Sequence, residues 1–89
     1  MCRNIKTLFN FEPPATTDEV QASALQFVRK LSGMNKPSKA NEEAFALAVE
    51  RVAAAAQEML NTLTTTAPPR DREVERERAK ARAAIRFGA

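Results

Sequence analysis

The sequence has no histidine, tryptophan or tyrosine, only two glycines and a single cysteine, and each shortage excludes a class of chemistry. Without histidine there is no Ser-His-Asp or Cys-His arrangement, and the side chain best suited to acid–base work near neutrality is missing. Gly33 and Gly88 alone cannot form a P-loop or a dinucleotide-binding fingerprint. Cys2 has no second cysteine to pair with and no histidine to share a zinc ion with, which favours a reducing compartment. No apolar run approaches the ~20 residues of a membrane span, and no signal-peptide core follows the N-terminus. The expectation is a cytoplasmic, non-enzymatic protein with no cofactor, no metal and no membrane association.

What remains is helix-forming. The 89 residues suit one domain, and a hydrophobic fraction of 44% is ordinary for a folded chain. Many of those residues are alanines, which bury little surface, so a protein partner or self-association is expected to supply part of the burial. The net charge of +3 is unevenly placed. Seven basic and seven acidic residues cancel through Pro69, and from Arg70 onward seven basic residues face four acidic ones.

Two proline pairs punctuate the chain. They predict a helical body over 1–66, a proline-containing linker over 67–71 and a charged helix over 72–87, together one domain. Ile5, Leu8 and Phe9 share a helical face and predict a short N-terminal helix. Thr16 and Glu19 form a capping box that starts the next helix, Val20, Ala24, Phe27, Val28 and Leu31 share its apolar arc, and Gly33 ends it. Pro37 interrupts the connector, after which Ser38 or Asn41 is placed to cap a helix of roughly 22–24 residues. Phe45, Ala48, Val49, Val52, Ala56, Met59, Leu60 and Leu63 form its apolar face. The alanine run from Ala53 to Ala56 permits close approach of the two helices. The fold class is therefore all-α: a short N-terminal helix, an antiparallel helical hairpin and a charged C-terminal helix. Asp71 is placed to cap that last helix, where Glu73–Arg76, Glu75–Arg78 and Glu77–Lys80 stand three residues apart.

Candidate functional residues fall into three groups. Val74 and Ile85 form a narrow apolar stripe on the C-terminal helix with Arg78 beside it, and Leu47 lies opposite the core face of the long helix. These four are the partner-binding candidates. Lys80, Arg82 and Arg86 are the nucleic-acid candidates, being the most purely basic stretch. Against them, the tail's cations spread around the helix, Glu73, Glu75 and Glu77 lie among them, and no tyrosine or tryptophan offers a stacking platform. Cys2 is the reactive candidate for thiol chemistry or metal binding: removal of Met1 would place its thiol beside the terminal amine and Arg3, favouring the thiolate.

The stretches Met1-Cys2-Arg3-Asn4-Ile5-Lys6, Leu8-Phe9-Asn10-Phe11-Glu12-Pro13-Pro14-Ala15-Thr16 and Phe27-Val28-Arg29-Lys30 resemble a family of short bacterial proteins of unknown function. Lys36-Pro37-Ser38-Lys39-Ala40-Asn41 and Ala67-Pro68-Pro69-Arg70-Asp71-Arg72-Glu73-Val74 are similar to the same family. That resemblance implies a complete bacterial protein and brings no activity, substrate or site. The layout from Ile5 to Leu63 also resembles J-domain co-chaperones, with a short helix, a helix, a loop and a long helix. The Gly33–Ala40 connector lacks the His-Pro-Asp tripeptide of that family, which implies that its chaperone-stimulating function is absent.

Overall fold

The computed structural model describes residues 5–86, with side-chain surroundings given as far as Ala84. In chain order the elements are β1 (Phe11–Glu12), α1 (Thr17–Ser32), a 3-10 turn (Lys39–Asn41), α2 (Glu42–Thr62), β2 (Arg70–Asp71) and α3 (Arg72–Arg86). The protein is mostly helical, with one correction to the all-α expectation: β1 and β2 pair in parallel, Phe11 against Arg70 and Glu12 against Asp71.

The expected N-terminal helix over Ile5–Phe9 does not form; the segment runs without helix into a turn at residues 9 and 10. Three apolar residues within one turn cannot offset the cost of nucleating a helix. A competing set of hydrogen bonds holds the chain extended instead. Asn10 adopts the left-handed conformation at φ 63°, which asparagine tolerates better than most residues. Its carbonyl accepts from the Arg70 amide at 2.8 Å, and its Nδ2 donates to the carbonyls of Ala67 and Pro68. The J-domain-like order therefore loses its first helix. The chain from 67 to 71, read as a linker, runs alongside this segment.

α1 forms for local reasons. The Thr16 hydroxyl accepts from the Glu19 amide at 3.2 Å, and Glu19 Oε1 accepts from the Thr16 amide at 3.0 Å. Gly33 closes the helix at φ 70°, a conformation that costs other residues a Cβ clash, and its amide donates to the Arg29 carbonyl. The start of α2 differs from expectation. Neither Ser38 nor Asn41 caps it with a side chain; Asn41 Nδ2 donates to Ser38 Oγ at 2.8 Å, and the 3-10 turn leads into the helix. After 21 residues α2 gives way to an extended Leu63, before the β-branched Thr64–Thr66 run.

α1 packs on α2 around a small core of Val20, Ala24 and Ala53, with Leu8, Val49, Val52, Ala56 and Leu60 against it. The alanines permit the close approach. The apolar face read from the sequence is only partly used, because a flat molecule of 44 × 37 × 18 Å has little room for a two-sided core. Ala53, at the edge of that face, is buried, whereas Leu31 is 73% exposed and Met59 and Leu63 are exposed as well.

Candidate interaction surface on the C-terminal helix

The placement of α3 is set at its first residue. Asp71 Oδ1 accepts from the amides of Glu73 and Val74 at 2.8 and 3.1 Å, the cap that the sequence implies. Arg72 then reaches across the chain. Its Nη1 and Nη2 each donate to a carboxylate oxygen of Glu19 at 2.9 Å, and its Nε donates to the Pro13 carbonyl at 2.7 Å. A planar guanidinium matches a carboxylate in this two-pronged way, which fixes direction as well as distance. The guanidinium carbons of Arg70 and Arg72 both lie 5.8 Å from the centre of the Phe11 ring, within cation–π range.

Glu19 is thus the hub of this clasp, closing the N-terminus of α1 and anchoring α3. The Arg72 hydrogen bonds, helped by the Thr16 amide, hold its carboxyl well below the ordinary 4.5, at about 2, against an opposing effect of partial desolvation. Arg72 is raised correspondingly by its bonds to Glu19.

Beyond the clasp α3 stands away from the body. From Arg72 to Ala84 only Arg72 and Glu75 are better than exposed. Three ion pairs run along it, Glu73–Arg76 at 3.0 Å, Glu75–Arg78 at 3.4 Å and Glu77–Lys80 at 3.8 Å. Such pairs support a solvated helix weakly, at about 0.2–0.5 kcal/mol each. The helix presents two different sides. Arg72, Glu75, Arg76, Ala79 and Arg82 line a groove of about 470 Å³ whose other walls are Lys6, Thr7, Leu8, Phe11, Glu19 and Arg70. On the opposite side, Glu73, Val74, Glu77, Arg78 and Ala81 surround a shallow open hollow.

A family model described as an uncharacterized conserved protein (DUF2277) matches residues 1–78. The chain belongs to that family. No curated protein and no solved structure matches it. The DUF2277 match takes in the clasp and the Val74–Arg78 part of the outer side, and stops short of Ala81 and Arg82.

In this DUF2277 chain the sequence candidates separate. Val74 and Arg78 lie together on the outer side of α3, with Val74 45% exposed. Leu47 on α2 is 42% exposed, so neither apolar side chain is buried on the other. Arg82 lines the groove, while Lys80, two residues earlier and so on a different side of the helix, pairs with Glu77. Ile85 and Arg86 belong to α3, but their side chains lie outside the described residues, as do Cys2 and Phe87. Among the described residues no group of three or more acidic or cysteine side chains could hold a metal, and no helix is long and apolar enough to cross a membrane. Sequence reasoning missed Lys6, Phe11 and the Glu19–Arg72 pair. The only local signal was that Glu19 keeps a second carboxylate oxygen after capping α1.

Proposed function

We propose that this DUF2277 chain is a non-catalytic protein-interaction module of the bacterial cytoplasm, presenting α3 as an arm to a protein partner. The observation that carries this reading is surface left uncovered. Among the described residues α3 is exposed on nearly every side: from Arg72 to Ala84 only Arg72 and Glu75 are partly covered. A 15-residue helix is marginal alone in water. Held at one end by the Arg72 clasp, it gains most by docking its outer side elsewhere.

On this reading Val74 and Ala81 are the apolar contacts, Arg78 orients the partner, and Ile85 extends the stripe by its place in the helix. α1 and α2 form an antiparallel support. That arrangement draws on Val20 and Ala24, from the first half of α1, clustering with Ala53, Ala56 and Leu60 from the second half of α2. Nucleic-acid binding along the whole helix is less well supported, since Lys80 and Arg82 face different ways and Glu73, Glu75 and Glu77 lie among the cations.

The test is native co-purification of tagged protein with and without Val74→Asp plus Ala81→Asp. A stoichiometric partner that survives nuclease and is lost from the double variant, with helicity and melting temperature unchanged, supports the arm. A partner retained equally by the double variant removes the outer side of α3 from the function.

A further inference from the structure

We propose that the groove between the N-terminal segment and α3 is a binding site for a compact polyanion: a free small molecule carrying two or more linked phosphates. The walls place cations from three separate parts of the chain around one concavity: Lys6 before β1, Arg70 on β2, and Arg76 and Arg82 on α3. The groove's acids are already engaged. Both oxygens of Glu19 accept from Arg72, and Glu75 pairs with Arg78 on the far side of the wall. Among the described residues Lys6, Arg70 and Arg82 make no ion pair, although Lys6 lies near enough to Glu19 to help lower its carboxyl, and Arg76 has only the exposed, readily exchanged pair with Glu73. The groove is therefore positive although the helix as a whole mixes both signs.

Size and chemistry narrow the ligand. A volume of about 470 Å³ lies within the roughly 300–1,000 Å³ of small-molecule sites. Three guanidinium groups offer paired donors in the spacing that phosphate oxygens accept, and four convergent cations suit more than one phosphate. Leu8 and Phe11 supply apolar wall beneath them, which weakens competition from water and strengthens each charge–charge contact. A long nucleic acid fits less well. It needs cations along a track, and the outer side of α3 carries Glu73 and Glu77 instead.

Titration calorimetry on the full chain with pyrophosphate and with ADP, at 50 and 200 mM salt, tests the site. Arg82→Glu and Lys80→Glu change the net charge equally, but only Arg82 lines the groove. At least a tenfold loss of pyrophosphate affinity is expected in Arg82→Glu, with Lys80→Glu within twofold of the parent protein. Lys6→Glu, outside every helix, repeats the loss without touching α3. Equal weakening by Lys80→Glu and Arg82→Glu, or no pyrophosphate binding at 50 mM salt, overturns the proposal. So does binding confined to a 20-nucleotide RNA or to anionic phospholipid vesicles, because the groove would then not be selecting a compact, free ligand.

Discussion

Replacing Val20 with alanine removes two methyl groups from the most enclosed position among the described residues, where only 2% of the residue is exposed. The transfer component is about 0.8 kcal/mol for each lost carbon, or about 1.6 kcal/mol. A space of roughly 50 Å³ left unfilled adds up to about 1.2 kcal/mol, depending on how far α1 and α2 relax together. The expected loss is therefore about 1.6–2.8 kcal/mol, and in a domain this small each kcal/mol lowers the melting temperature by about 4–8 °C. Circular dichroism at 222 nm during heating measures it, provided the refolding trace overlays the melting trace. Val74→Ala is the matched control. It deletes the same two carbons from an exposed side chain, and a surface change of that kind stays within about 0.5 kcal/mol. The contrast also bears on function, because it separates valine that holds the fold from valine kept on the surface for another purpose. If Val20→Ala melts no lower than Val74→Ala, the α1–α2 core is misplaced and the reasoning fails.

Asp71→Ala removes the acceptor for the Glu73 and Val74 amides and is expected to cost about 1 kcal/mol, read as a loss of helical signal that Asp71→Asn largely restores. The clasp makes stability depend on acid. Glu19 has a folded-state value of about 2 against an ordinary 4.5, so its contribution is complete above pH 4.5 and is lost as the pH falls towards 2. Glu19→Gln keeps a side chain able to close the capping box but cannot form the ion pair. Its melting temperature should fall less steeply between pH 5 and pH 2 than that of the parent protein, and parallel curves would remove Glu19 from the acid response.

The parts of this fold legible in the sequence are those whose partners lie within one or two helical turns. The Thr16–Glu19 capping box, the Gly33 stop, the Asp71 cap and the three ion pairs of α3 all formed because each depends on local spacing. The N-terminal segment departs from its sequence pattern because its apolar period is a local signal overruled by hydrogen bonds to residues 57 and 58 positions away. The same holds for Arg72, whose partner Glu19 is 53 residues distant and shows no pattern that names it. Burial is legible at Ala53, where the alanine run permits the close approach of α1 and α2, and not at Leu31, which shares the apolar arc of α1 but stays exposed near the end of that helix. The groove was invisible in the sequence. The wheel of α3 spreads its cations around the helix, and only the fold brings Lys6 and Arg70 to one side of it.

The most direct test of the account is a photo-crosslinking scan in living cells, with a reactive amino acid placed singly at 74, 78 and 81 on the outer side of α3. Glu58 and Asn61 on exposed α2 serve as comparison positions. One discrete adduct of the same mass from 74, 78 and 81, and none from 58 and 61, is the result expected of an interaction arm. Adducts of equal strength from all five positions, or none from α3, would contradict it.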